Sequence, residues 1–345
     1  MSDFRIDQIT NQAGTAGPDI AGITTFSWSS GLLMPSGATE YRGGRGRGLI
    51  GGGNTGSIIN AIDYITISTL SNSYDFGDLN VVNSETGTFA SSTHGFFAGG
   101  LNPSVLSSIS RVTISSTGNA FTFGELDATR WGGGGLSNST RGIYGRGVNP
   151  AATGLAHTYS TQYLNMSSGG KTSYFGELLD NALTPGVCAS PVRGLFAGGG
   201  TPNINNIEYI TITTLGNGID FGDLAIGGSR RRLMGLSNSI RGIFAGGYLG
   251  APAATNAIEY VTLSSLGDTT DFGDLTKAVY SAGSCASSTR GIICSGYDTG
   301  SAIRTNTIQY ITISSTGNAQ NFGELTSAAR TTPTGCSDVH GGLGD

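Results

Sequence analysis

The chain has 345 residues, with 58 Gly, 9 Pro, only 12% charged residues and a net charge of −5. Strong helix formers are scarce and each helix-interior Gly costs about 1 kcal/mol, which excludes a helical protein. Gly falls far below one third and follows no three-residue period, which excludes collagen, and 37% apolar content argues against disorder. The negative balance leaves no electrostatic footprint for nucleic acid. No stretch reaches the roughly 18 apolar residues of a membrane span. The start, Met1-Ser-Asp-Phe4, lacks the apolar core of a signal peptide, so synthesis in a cytoplasm with reduced thiols is expected.

In chain order, residues 1–46 come first and do not repeat. Apolar Phe4, Ile6 and Ile9 alternate with polar residues, and a Gly/Ala-rich stretch follows. Such a segment orders against a partner more readily than it folds alone. Phe4, Ile6, Ile9, Phe26, Trp28, Leu32 and Met34 are its expected partner-binding anchors, aromatic anchors being common carriers of interface energy.

From Arg47 onward the sequence repeats six times. One anchor, Arg/His-Gly followed by two apolar residues, places its glycine at Gly48, Gly95, Gly142, Gly194, Gly242 and Gly291. A second, Phe-Gly-Asp/Glu-Leu, places its glycine at Gly77, Gly124, Gly176, Gly222, Gly273 and Gly323. Between them lie alternating β-branched segments such as Ile207-Glu-Tyr-Ile-Thr-Ile212, which read as strands. Turns such as Leu215-Gly-Asn217 supply hairpin chemistry. A small-residue stretch precedes each first anchor. Each repeat is therefore expected to hold four antiparallel strands, A to D: the small-residue stretch, the Arg-Gly strand, the Tyr-Ile-Thr-Ile strand and the Phe-Gly strand.

A four-strand repeat of this length is the unit of a β-propeller blade. The first repeat lacks an A strand, and the tail after Thr332 resembles one. The expected fold is all-β: a six-bladed propeller over residues 47–345, four antiparallel strands per blade, blade 1 closed by the C-terminal strand, and an extended arm over residues 1–46.

The repeated charges Arg47, His94, Arg141, Arg193, Arg241 and Arg290, and Asp78, Glu125, Glu177, Asp223, Asp274 and Glu324, occur six times each. A catalytic pair would occur once, so these are expected to make structural contacts. Cys188 and Cys285 stand where other repeats hold Phe or Leu, and Cys294 where they hold Ala, which suits a small core residue. His94, His157 and His340 have no zinc-ligand spacing. No catalytic residue, metal or cofactor is expected. The loops after strand B vary, and with the D–A linkers they share one face. Trp131, His157, Arg231, Tyr248 and Tyr297 are its candidate recognition residues.

The Gly-Gly that ends strand B, the aromatic-bearing strand and the aromatic before Leu resemble the kelch-type propeller. Phe76, Phe123, Phe175, Phe221, Phe272 and Phe322 stand where a kelch repeat usually has Trp. The segment Ile6-Asp-Gln-Ile-Thr-Asn-Gln-Ala-Gly-Thr-Ala-Gly-Pro-Asp19 is similar to the start of tailed-phage fibre and appendage proteins, and the whole resembles virion structural proteins of marine, cyanophage-type phages. The resemblance implies a structural component of a virion, such as a tail fibre or capsid appendage. Its arm would fasten it to other virion proteins and its propeller would be displayed for protein or host-surface contact. Expected partners are other virion proteins, a host-surface glycan and further copies of the chain, without nucleic acid or membrane insertion. The alternatives are a carbohydrate-binding, receptor-recognition propeller and a glycan-active enzyme. The enzyme would need two unmatched carboxylates on one face.

Overall fold

A computed structural model describes residues 46–150, 156–251 and 253–344. The arm anchors Phe4, Ile6, Ile9, Phe26, Trp28, Leu32 and Met34 lie outside the described residues. The described residues are all-β, with one 3-10 turn at Gly341–Leu343.

Six antiparallel sheets carry the repeats, in the order A-B-C-D. Sheet 2 contains Gly87–Ala90, His94–Ala98, Ser108–Thr113 and Phe121–Glu125. Sheet 3 contains Gly134–Ser137, Arg141–Gly145, Ser160–Asn165 and Ser173–Glu177. Sheet 4 contains Gly186–Ala189, Arg193–Ala197, Asn206–Thr211 and Ile219–Asp223. Sheet 5 contains Met234–Ser237, Arg241–Ala245, Ala257–Thr262 and Thr270–Asp274. Sheet 6 contains Gly283–Ala286, Arg290–Cys294, Thr307–Thr312 and Gln320–Glu324. Sheet 1 takes B, C and D from Arg47–Gly51, Ala61–Thr66 and Tyr74–Asp78. Its A strand is Thr334–Ser337, paired with Gly48–Gly51 as the tail's composition suggested. Sheet 2 gains a fifth strand, Gly170–Lys171, which lies parallel to Gly124–Glu125.

Each repeated residue type meets the neighbouring sheet. The anchor glycine of strand B lies under the third residue of the preceding sheet's strand A. Gly48 faces Cys285, Gly95 Cys336, Gly142 Phe89, Gly194 Leu136, Gly242 Cys188 and Gly291 Leu236. A methyl group at Gly95 would sit 2.9 Å from the Cys336 sulfur, so close approach demands glycine there. Cysteine is thus one of three side chains that fill the same socket. Burial pushes the Cys336 thiol up to about 12 and the Cys285 thiol well above its ordinary value.

The Arg before that glycine lies over the Tyr of its own strand C, 4.6–4.9 Å from the ring, in sheets 1, 3, 4, 5 and 6. It donates to a main-chain carbonyl of the next sheet. Arg47 reaches Ile114, Arg141 Ile212, Arg193 Leu263, Arg241 Ile313 and Arg290 Ile67. Sheet 2 exchanges the pair: His94 holds the Arg position, and Arg111 holds the Tyr position over Phe121 and Phe123.

The Phe-Gly strand leans on the next sheet's C–D turn. Gly118, Gly216, Gly267 and Gly317 donate to the carbonyls of Phe76, Phe175, Phe221 and Phe272. The turn's Asn or Asp accepts from the strand: Asp78 N–H on Asn119, Glu177 on Asn217, Asp223 on Asp268, Asp274 on Asn318 and Glu324 on Asn72. The repeated contact at the Asp/Glu position is therefore made by main chain. In five of the six repeats that residue is exposed, and Asp78 is half-buried.

Strand C holds a feature that simple alternation conceals. Its third residue is polar and buried in every sheet: Asp63, Ser110, Gln162, Glu208, Glu259 and Gln309. The three acids each meet a fully buried arginine, in the pairs Arg330–Asp63 (2.6 Å), Arg146–Glu208 and Arg230–Glu259 (2.6 Å). Arg230, the residue before the loop-face candidate Arg231, is interior. Desolvation makes such pairs weak net stabilisers, but loss of one member strands a charge.

Candidate functional site at the axial mouth

The D–A linkers converge at one end of strands A. Glu85, Gly132, Thr184, Arg232, Ser281 and Thr332 occupy one position in the six repeats, and all have φ between 52° and 65°. Each main-chain N–H donates to the carbonyl of the residue before it in the circle: Gly132 to Glu85, Thr184 to Gly132, Arg232 to Thr184, Ser281 to Arg232 and Thr332 to Ser281. Glu85 N–H donates to Thr332 at 3.4 Å and completes the circle.

These residues rim a cavity of about 100 Å³. Beneath it the A strands line a second cavity of about 170 Å³, walled by small residues such as Gly135, Ser137 and Ser284. The 3-10 turn and His340 close the far end. His340 Nε2–H donates to the Ala90 carbonyl (2.9 Å), and its Nδ1 accepts from Gly342 N–H (3.2 Å). Burial holds the His340 pKa below the usual histidine value.

The rim is chemically uneven. Arg232 Nη2 reaches Glu85 Oε1 at 2.9 Å, and Arg232 Nη1 reaches Ser281 Oγ at 3.1 Å. Glu85 Oε2 is shut from solvent and accepts no hydrogen bond from a described residue. It stands beside Gly132, the rim position without a side chain.

The residue before each rim position pairs with the B–C loop. Bridges join Ser84 to Leu101, Trp131 to Val148, Leu183 to Gly200, Arg231 to Tyr248 and Thr331 to Asn54, and Tyr280 pairs with Tyr297. Four of the five candidate recognition residues belong to this outer circle, and His157 pairs with its Val148. Trp131 and Arg231 share one repeat position, and Tyr248 and Tyr297 share another. The Arg231 guanidinium lies over the Tyr248 ring at 5.1 Å. Tyr248, Tyr280 and Tyr297 follow as a strip, with ring centroids 5.0 and 5.4 Å apart. Trp131 and His157 are joined through Val148 on sheet 3, two sheets from the strip.

Glu85 and Tyr280 were not among the sequence candidates. The signal available for Glu85 was its charge at a position where four other repeats hold Gly, Thr or Ser, whereas Tyr280 gave none, since Trp131, Leu183 and Arg231 share its position. That alignment needs the linker register, which Gly and Ser runs obscure. Burial raises the Tyr280 pKa against the pull of Arg232, keeping its hydroxyl protonated.

Among the described residues, no group of three or more His, Cys, Asp or Glu is placed to hold a metal ion. No helix among them is long and apolar enough to cross a membrane. No protein-family model matches the chain, and a search of curated proteins finds no match.

Proposed function

We propose that the six sheets are the blades of a closed, kelch-like β-propeller that serves as a binding module, displayed on a tailed-phage particle. The circle of six main-chain hydrogen bonds through residues 85, 132, 184, 232, 281 and 332 supports closure. The same cyclic order recurs in the arginine contacts and in the glycine sockets. A chain whose ends meet in one sheet presents a rigid scaffold, and recognition on such scaffolds sits in the loops.

One observation carries the binding half of the reading: the unrepeated side chains with unspent chemistry gather at one mouth. There Glu85 and Arg232 stand among Gly, Thr and Ser at one repeat position, and Tyr248 and Tyr297 stand where other repeats hold Leu101, Val148, Gly200 and Asn54. The described lining contributes one carboxylate, Glu85, whereas glycoside hydrolysis uses a pair. This favours binding over catalysis.

The particle half rests on the resemblance of residues 6–19 to phage fibre and appendage proteins. In this reading the arm attaches to other virion proteins and leaves the mouth outward. A chain beginning at Gly43 should fold with the full chain's melting temperature and fail to join particles. Incorporation at full copy number would overturn the attachment role.

A further inference from the structure

We propose that the axial mouth and the tyrosine strip beside it form one site for the end of a hydroxyl-rich glycan chain. This rests on the loop face being the recognition surface and names what it recognises.

Glu85 supplies the first reason. Its carboxylate is almost wholly buried, with one oxygen held by Arg232 and the other without a donor. An unsatisfied buried acceptor is costly, so a ligand that brings a hydroxyl to Oε2 gains more than a surface hydrogen bond. Gly132 places no side chain over Oε2, and the cover there is the Thr184 methyl, 3.3 Å from the point a Gly132 Cβ would occupy, so rotation of the Glu85 carboxylate or of Thr184 presents Oε2 to the mouth. The rest of the rim offers hydroxyl oxygens at Thr184 and Thr332, which donate to the Leu183 and Thr331 carbonyls and can still accept, and at Ser281, which accepts from Arg232.

Geometry next to the rim supplies the second. Tyr280 directly precedes rim residue Ser281 and stands in the middle of the strip, between Tyr248 and Tyr297, so the strip passes beside the mouth. The three rings are half-buried and tilted, 59° and 39° between neighbours, which makes a curved apolar track rather than a flat patch. A pyranose has apolar C–H faces and a polar hydroxyl edge. Its faces match aromatic rings, and its edge matches planar carboxylate and guanidinium groups such as those of Glu85 and Arg232. A protein partner of standard size buries about 800 Å² on each side, whereas the features gathered here are one cavity of about 100 Å³ and three rings. A sugar chain of a few units fits their scale.

The test uses the full chain and an array of bacterial O-chain and capsular oligosaccharides, with isothermal titration of the strongest hit. Wild type should bind at least one oligosaccharide. Tyr280→Ala and Glu85→Gln should each weaken that binding at least tenfold while the melting transition stays cooperative. If either variant fails to fold, Tyr297→Ala supplies the same test from one end of the strip. Absence of any hit, or unchanged affinity in the folded variants, would overturn the proposal. A chain that binds no oligosaccharide yet cross-links to a protein through its loop face would retire the glycan inference and leave the binding-module reading in place.

Discussion

The outer rim and the axial mouth are built on the same sixfold plan and use it in opposite ways. At the rim every sheet repeats one solution, with a Phe-Gly strand hydrogen-bonded to the next sheet's turn and capped in five cases by Asn or Asp. At the mouth the backbone repeats while the side chains do not: Glu, Gly, Thr, Arg, Ser and Thr share one conformation. Repetition of residue marks a place where architecture sets the requirement. Repetition of conformation with changing residue marks a place where architecture is met by the backbone, leaving side chains free for recognition.

Removing residues 332–345 should break the comparison most severely. It takes away the A strand of sheet 1, a member of the mouth circle and the turn that caps the far end. The exposed strand edges should promote association, and a calorimetric scan should lose its single cooperative transition. A truncated chain that melts like the full chain would count against closure.

Next comes Arg230→Met, which strands the Glu259 carboxylate inside sheet 5. Denaturant unfolding should show a loss of about 3–5 kcal/mol, and adding Glu259→Leu should recover most of it. An equal loss in the double variant would mean that the pair itself, rather than the stranded charge, sets the cost.

A rim glycine and a mouth aromatic sharpen the contrast. Gly273 has φ +143°, and a methyl group there would sit 2.6 Å from the Gly317 carbonyl oxygen. Gly273→Ala should cost about 1–3 kcal/mol. Tyr248→Ala on the exposed loop should change stability by less than about 1 kcal/mol. Similar losses at both sites would erase the distinction between architectural and recognition residues.

The smallest effect is a pH dependence. His340 is buried with its pKa lowered by desolvation, so between its folded and unfolded pKa values the unfolded chain binds more protons. Its contribution is fully present above about pH 6.5 and declines as pH falls below that value. A melting series from pH 7.5 to 5 should show a shallow decrease that His340→Gln reduces.

Much of this plan was legible in the residues. The sixfold recurrence of the anchors, the tail acting as the missing A strand and the structural role of the repeated arginines all follow from repetition, because identical contacts demand identical residues. The buried position in strand C was hidden, because Glu208 and Glu259 fit a strand that alternates polar and apolar residues. A bulge at Ile207/Glu208 and at Ile258/Glu259 shifts the register there, and burial follows from tertiary packing rather than period. One trace of it did exist: buried Arg146, Arg230 and Arg330 accompany the sheets whose strand C holds an acid. The site was half legible. Arg231, Tyr248 and Tyr297 stood out as deviations in loops, whereas Glu85 and Arg232, 147 positions apart in sequence, became a pair only when the fold brought them across one mouth.

The closed circle at that mouth can be tested directly by amide hydrogen exchange. Protection should be high and similar at Glu85, Gly132, Thr184, Arg232, Ser281 and Thr332, since each N–H donates within one circle. Glu85 is decisive, because its acceptor, Thr332, belongs to the opposite end of the chain. Slow exchange there, lost together with protection of Gly48–Gly51 on removal of the tail, is the predicted result. Fast exchange at Glu85 beside slow exchange at the other five would contradict a closed ring.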